Sequence, residues 1–316
     1  MSIIERVAEL LEPIDANGSA SAQSGGSQTI ERAVGGSAAR QTFARVVDLA
    51  MQAENYAPAV EVKASLPQGN VARKSAKIHR VDRSHLRRQG MITPEGDRTS
   101  NAESFRRIKR QILANLGKSD AFPPSNLVLV TSALSGEGKT FCAVSLAISM
   151  ALEMDRTVLL VDADVAKPSV PRTLGLDAER GLLDVVLDRR IDLSEVLCKT
   201  DSGKLTLLPA GTPHPHATEL LASDAMRALL QEMAERYHDR IVIFDSPPLL
   251  AASEAGVLAS QMGQIVMVVE AGKTSEAALM AALGRIDTSN VTGLLLNKGE
   301  DPGLRYHYGE YGKVAK

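Results

Sequence analysis

The sequence predicts a doubly wound α/β domain with a mostly parallel sheet, preceded by a largely flexible N-terminal extension. Two observations carry that prediction. From residue 126 onward, apolar runs of four to seven residues alternate with amphipathic helical patterns, as strands buried on both faces and their crossover helices do. Before that point much of the chain is rich in Gly, Ser and Ala and holds no sustained apolar period. Apolar residues make up 44% of the 316, enough to bury a sizeable core.

Taken in order, Ile3, Ile4, Val7, Leu10 and Leu11 form one helical stripe whose polar face carries Glu5, Glu9 and Glu12 against Arg6. An acidic face disfavours anionic lipid, which leaves a partner-docking helix or a short helix lying on the parent domain. Residues 17–40 read as flexible linker, because they cannot bury enough apolar surface to offset the entropy of ordering. A weaker helical pattern follows at Phe43, Val46, Val47 and Met51, and Pro58, Pro67 and the basic stretch to about residue 95 are irregular. The expected division is therefore an extension over 1–95, a folded domain over 96–300 and a flexible tail over 301–316.

Strands are expected at 126–132, 156–164, 205–211, 240–248, 264–272 and 291–299, with helices around 139–153, 218–236, 251–259 and 274–287. Right-handed crossovers then put the functional site beyond the C-terminal ends of the strands.

Charge and composition narrow the function. The net charge of −2 argues against a nucleic-acid binder, although residues 71–120 carry 13 Lys and Arg against 5 Asp and Glu. Such a block can mean nucleic acid, anionic lipid or an acidic partner, and most such blocks are simply solvated surface. Cys142 and Cys198 lack metal spacing and lie in apolar, helix-like stretches, so buried inert thiols are expected. The N-terminus has no secretory pattern and no segment approaches a membrane span, so a soluble cytoplasmic chain is expected.

The segment Ala133-Leu-Ser-Gly136-Glu-Gly138-Lys139-Thr140 follows the first core strand and opens the first core helix. It fits a phosphate-binding loop, with Ala133 at the position of the first Gly. Gly136 and Gly138 let consecutive N–H groups turn inward as an anion nest, and the helix adds its free amides. Lys139 would reach the β- and γ-phosphates, and the Thr140 hydroxyl would ligate Mg²⁺. Ser135, Gly136, Glu137, Gly138, Lys139, Thr140 and Phe141 are accordingly expected to bind ATP. A eukaryotic protein-kinase loop is excluded, since Phe141 stands where the third Gly would be and no Asp-Phe-Gly or His-Arg-Asp triplet occurs.

Carboxylates end two further strands. Asp162 and Asp164 flank Ala163, and strand alternation puts them on one side. Asp245 follows four apolar residues and precedes Ser246-Pro247-Pro248, the arrangement that holds Mg²⁺ directly or through water. Asp164 and Asp245 would serve the metal. Asp162 is the candidate to accept a proton from an attacking hydroxyl, a help that matters for a Tyr of pKa about 10. His214 and His216 lie in a Pro-rich loop without a third ligand and read as loop histidines.

Aromatics are scarce, at 3%, yet three of five tyrosines, Tyr306, Tyr308 and Tyr311, fall in the last eleven residues. Tyr56 and Tyr237 read as structural. The tail follows Asp301-Pro302-Gly303, where Pro and Gly end the ordered core.

Together, Ser-Gly-Glu-Gly-Lys-Thr (135–140), Val-Leu-Leu-Val-Asp-Ala-Asp (158–164) with Lys167-Pro168-Ser169, Ile-Val-Ile-Phe-Asp-Ser-Pro-Pro (241–248) and the Tyr-rich tail resemble the bacterial tyrosine kinases of the polysaccharide co-polymerase type. The resemblance is strongest to stand-alone autokinases encoded with exopolysaccharide and exosortase systems, and it spans roughly residues 95–316. The chain departs from that family at Ser135, where Pro is frequent, and at Ala166-Lys167, where Arg is usual. Lys offers a point charge where Arg offers a fork.

The resemblance implies an ATP- and Mg²⁺-dependent tyrosine autokinase whose tail cluster is the phosphoacceptor, modified in trans within a ring. It implies ring contacts from a Glu-x-x-Arg-x-x-Arg helix, here Glu103, Arg106 and Lys109. The plain alternative is an intrahelical Glu103–Arg106 pair worth a few tenths of a kcal/mol. By the same resemblance Asn297, at the end of the last strand, would contact adenine. It further implies a membrane polysaccharide co-polymerase or chain-length-determinant protein as separate activator, holding the cytoplasmic chain at the inner membrane. A partition or septum-placement ATPase switch is the competing class, but its second loop Lys is Leu134 here. A non-enzymatic adaptor would have no need of Lys139, Thr140 and three Asp together.

Overall fold

The computed structural model describes residues 77–96, 99–117, 123–235 and 240–299. The amphipathic pattern at 3–11, the linker at 17–40, Tyr56, Tyr237 and the tail tyrosines Tyr306, Tyr308 and Tyr311 lie outside the described residues.

The described chain builds one eight-stranded sheet: β1 (Ile78–His79), β2 (Leu127–Ser132), β3 (Thr157–Asp162), β4 (Cys198–Thr200), β5 (Leu205–Leu208), β6 (Arg240–Asp245), β7 (Gln264–Glu270) and β8 (Val291–Asn297). Their order is β1-β4-β5-β3-β6-β2-β7-β8, and every pairing is parallel except β4 with β5. All six strands expected from the apolar runs are present. The chain leaves β2 toward β3 on one side and comes back to β7 on the other, so the ends of β2, β3 and β6 surround the switch point.

Strand alternation divides the core into two layers. Val128, Val130, Val158, Leu160, Ile241 and Ile243 face the helices Ser100–Asn115 and Lys139–Ala151. Leu127, Leu129, Leu159, Val161, Val242 and Phe244 face the opposite layer, built around Asp224–Glu235 and Ser253–Ala259. Both faces are covered, which is why these strands read as continuous apolar runs rather than alternating ones.

Three local expectations need correction. The folded domain begins by residue 77, not at 96. β1 pairs with β4, Val81, Leu86 and Ile92 are buried, and Arg83 bridges Glu95 at 2.6 Å and Asp201 at 2.9 Å. Val81, Leu86 and Ile92 stand five and six residues apart, so no helical or strand period betrays them. Cys198 lies in β4, not in a helix, although both thiols are buried and burial pushes both up. The helix expected over 218–236 is two, Ala217–Leu221 and Asp224–Glu235. Between them the Ser223 hydroxyl donates to the Leu220 carbonyl and accepts from the Met226 amide, ending one helix and opening the next.

Among the described residues no helix is long and apolar enough to cross a membrane.

Candidate active site

The phosphate loop joins β2 to the helix Lys139–Ala151, with Gly138 in its N-cap position at φ 95°. That left-handed conformation suits Gly, and a Cβ there would sit 2.1 Å from Asn297 Nδ2. The loop is braced from inside by Glu137, which is 2% exposed. Its Oε2 accepts from the Leu134 amide at 2.6 Å, and its Oε1 accepts from the Thr274 hydroxyl. Ser135 and Gly136 are exposed at the mouth.

Lys139 lies beside the carboxylates and is 8% exposed. Thr140 Oγ1 donates to Asp245 Oδ2 at 2.6 Å and lies 3.1 Å from Ser169 Oγ. The side chain of Phe141, a residue expected among the nucleotide contacts, packs against the core cluster, its ring centroid 6.4 Å from that of Phe105. Helix geometry accounts for this: one residue past Thr140, the chain has turned by about 100°. Asn297 closes β8 as expected, but its amide donates to the Glu137 carbonyl at 2.8 Å, so that nitrogen holds the loop.

Asp162 and Asp245 are register partners on the adjacent strands β3 and β6, and both are fully buried. Asp162 Oδ2 accepts from the Ser169 and Val170 amides, each at 2.9 Å, which fixes the turn leading into the helix Val170–Leu174. The Oδ1 atoms of both carboxylates are buried without a hydrogen-bond partner. Burial pushes Asp162 up to about 6, against the pull of the two amides. Burial also pushes Asp245 up to about 8; Thr140 opposes this, and the charge of Asp162 adds to it. Asp164 is half-buried and accepts from the Lys167 amide at 3.2 Å. Burial raises it as well, against the charges of Lys139 and Lys167.

The orphaned Asp245 oxygen, the Thr140 hydroxyl and the half-buried Asp164 form a hard-oxygen set suited to Mg²⁺, with the orphaned Asp162 oxygen beside it. Among the described residues no group of three His, Cys, Asp or Glu encloses a metal unaided.

The sequence reading missed three contributors. Glu254, nearly buried at the start of Ser253–Ala259, brings a fourth carboxylate whose charge acts on Asp164. Thr274 and Lys298 reach the loop from the ends of β7 and β8. Only Glu254 left a trace, nine residues after Asp245 at a helix start.

The three residues expected at a ring contact do not act together. Arg106 pairs with Glu103 at 2.6 Å within their own helix. Lys109 is turned inward, its side chain 12% exposed, and bonds Glu153 at 2.6 Å and the Ser149 carbonyl at 3.3 Å. It ties Ser100–Asn115 to the end of the phosphate-loop helix, an intrachain role the ring-contact expectation did not include. His214 and His216 remain loop residues, joined by the His216 amide donating to His214 Nδ1 at 3.1 Å.

Known proteins carry the same frame. An AAA domain model matches residues 126–290. Tyrosine-protein kinase YwqD of Bacillus subtilis (strain 168) is 30% identical over 235 residues, covering 74% of this chain and 95% of that protein. The chain belongs to the bacterial tyrosine-protein kinase family. Tyrosine-protein kinase etk of Escherichia coli (strain K12) is 25% identical over 272 residues, which is 84% of this chain but 36% of that protein. The solved kinase domain of Escherichia coli ETK superposes with a TM-score of 0.57 at 26% identity, over 65% of this chain and 78% of that one. The family's enzyme class is protein-tyrosine kinase, here on a P-loop nucleotide-binding domain.

Proposed function

We propose that this kinase transfers the γ-phosphoryl group of ATP to its own C-terminal cluster, Tyr306, Tyr308 and Tyr311, presented by a neighbouring copy in a ring. The observation that carries the reading is the pairing of Asp162 with Asp245 directly beside Thr140, with one free oxygen on each carboxylate.

In this reading the loop amides and Lys139 hold the phosphate chain, and Thr140, Asp164 and Asp245 would hold Mg²⁺. When bound, the ion would supply positive charge that neutralises the transferring phosphate. Asp162 anchors the 165–169 turn through Oδ2 and keeps Oδ1 for the proton of the incoming phenol. The tyrosine oxygen forms its bond to phosphorus as the bond from phosphorus to the β,γ-bridging oxygen breaks, and ADP leaves. Positioning and charge neutralisation supply most of the acceleration in such a transfer.

Each phosphate would add about −1.5 to −2 charges to the tail. A tail so charged is repelled by the Asp162, Asp164, Asp245 and Glu254 group, which loosens the ring and makes phosphorylation a regulator of exopolysaccharide assembly. The proposed activator is a separate membrane co-polymerase that brings the cytoplasmic chain to the inner membrane. Since residues 77–95 belong to the domain, its docking element is sought in residues 1–76, and a pull-down with that segment deleted tests the assignment.

Incubation of the purified full chain with ATP and Mg²⁺, read with an anti-phosphotyrosine antibody, tests the function. A signal lost in Lys139→Ala is expected. No signal, or one that survives this change, rejects the kinase reading in favour of an ATPase switch.

A further inference from the structure

The end of β8 grips the phosphate loop from behind. Asn297 Nδ2 donates to the Glu137 carbonyl at 2.8 Å, and the next residue, Lys298, donates through Nζ to the Gly136 carbonyl at 2.7 Å. Glu270, at the end of β7, holds the same ammonium through Oε1 at 3.2 Å. Among the described residues Lys298 alone has a positive φ without being Gly, at 59°. A Lys adopts that backbone state only against steric strain, so its surroundings must hold it there.

Peptide geometry gives these contacts a consequence. In a trans peptide unit the C=O and N–H point in opposite directions. The unit whose carbonyl Lys298 holds carries the N–H of Glu137. The unit whose carbonyl Asn297 holds carries the N–H of Gly138. Drawing both carbonyls toward β8 turns two successive N–H groups to the opposite side, the arrangement of an anion nest. Among the described residues none accepts a hydrogen bond from either N–H.

We infer that Lys298 is a positioning residue for phosphate binding: aimed by Glu270, it holds the Gly136 carbonyl so that the loop amides stand ready for the phosphate chain of a nucleoside di- or triphosphate. Lys298 acts through the loop backbone and touches no phosphate in this scheme. The inference rests on the nucleotide reading above and adds a residue to it. Lys273 provides the matched control, because it pairs with the other oxygen of Glu270 at 3.3 Å and bonds no loop carbonyl.

The experiment is calorimetric titration of the full chain with ADP and Mg²⁺ for the parent, Lys298→Met, Lys298→Arg and Lys273→Met. Affinity is expected to fall about tenfold in Lys298→Met, as for loss of one charge-assisted hydrogen bond. It should recover in Lys298→Arg, which can still reach the carbonyl, and stay at the parent value in Lys273→Met. Parent-like ADP affinity in Lys298→Met, or an equal loss in Lys273→Met, overturns the inference while leaving the nucleotide reading intact. A parent chain that fails to bind ADP overturns both.

Discussion

Thr140 Oγ1 donates a 2.6 Å hydrogen bond to Asp245 Oδ2, tying the first turn of the phosphate-loop helix to the end of β6. The bond joins the two side chains proposed to share the metal, and it is a donor that a fully buried carboxylate has close at hand. Thr140→Val keeps the shape and removes the donor. It should lower chain stability by about 1–3 kcal/mol, the cost of leaving a buried acceptor unpaired. Tyrosine phosphorylation should fall at least about 100-fold, while Thr140→Ser should keep most of both. Urea denaturation and a phosphotyrosine time course check the two expectations, and a Val variant of unchanged stability would show the bond to be idle.

The buried pair Asp162 and Asp245 predicts a pH profile. Burial raises both, so each binds its proton more tightly in the folded chain than in the unfolded one. A carboxyl raised on folding stabilises fully below its unfolded pKa, and that stability is lost as pH rises through the folded value. Without nucleotide or divalent ions, thermal stability should therefore decline from the ordinary carboxylate range up to about pH 8. Asp245→Asn removes the titrating group and should flatten the decline. An identical slope in the parent and this variant would contradict the assignment.

Gly136 and Gly138 separate backbone strain from collision. Both have positive φ, at 87° and 95°, but a Cβ on Gly136 meets nothing within 4 Å, while one on Gly138 meets Asn297 Nδ2 at 2.1 Å. Gly136→Ala should cost about 1 kcal/mol through strain alone. Gly138→Ala should cost at least about 2 kcal/mol and weaken ATP binding about tenfold or more. Denaturant midpoints and ATP titrations of the two variants make the comparison, and equal effects would mean that Asn297 yields freely.

Lys109 predicts a dissociation between stability and assembly. Lys109→Ala breaks a partly buried pair with Glu153 and should cost about 1 kcal/mol, with the oligomer distribution unchanged. Arg106→Ala removes a more exposed intrahelical pair and should cost no more than about 0.5 kcal/mol. Sedimentation of both variants decides the point; a shift in oligomer size with Lys109→Ala would return that residue to an interface.

The sheet and the phosphate loop were legible because their signals are local. Continuous apolar runs mark β2, β3, β6 and β7, and the spacing of Gly136, Gly138 and Lys139 marks an anion site between a strand and a helix. The carboxylates at 162, 164 and 245 were legible for the same reason. What escaped depends on distant parts of the chain. β1 is two residues long and exists only because β4 lies beside it, and Lys109 turns inward because Glu153 waits there. Thr274 and Lys298 bond loop atoms more than 130 positions away, contacts that no periodicity records. Phe141 follows Thr140 in sequence, yet its side chain packs against the core cluster beside Phe105.

The central claim is that the domain's own tail is its substrate. Full-length chain incubated with ATP and Mg²⁺, digested and mapped by mass spectrometry, tests it most directly. Phosphate should be found on Tyr306, Tyr308 or Tyr311, disappear in Lys139→Ala, and disappear in the triple Tyr→Phe variant, in which ADP binding is kept. Phosphate confined to Tyr56 or Tyr237, or ATP turnover with no phosphotyrosine at all, would contradict the account.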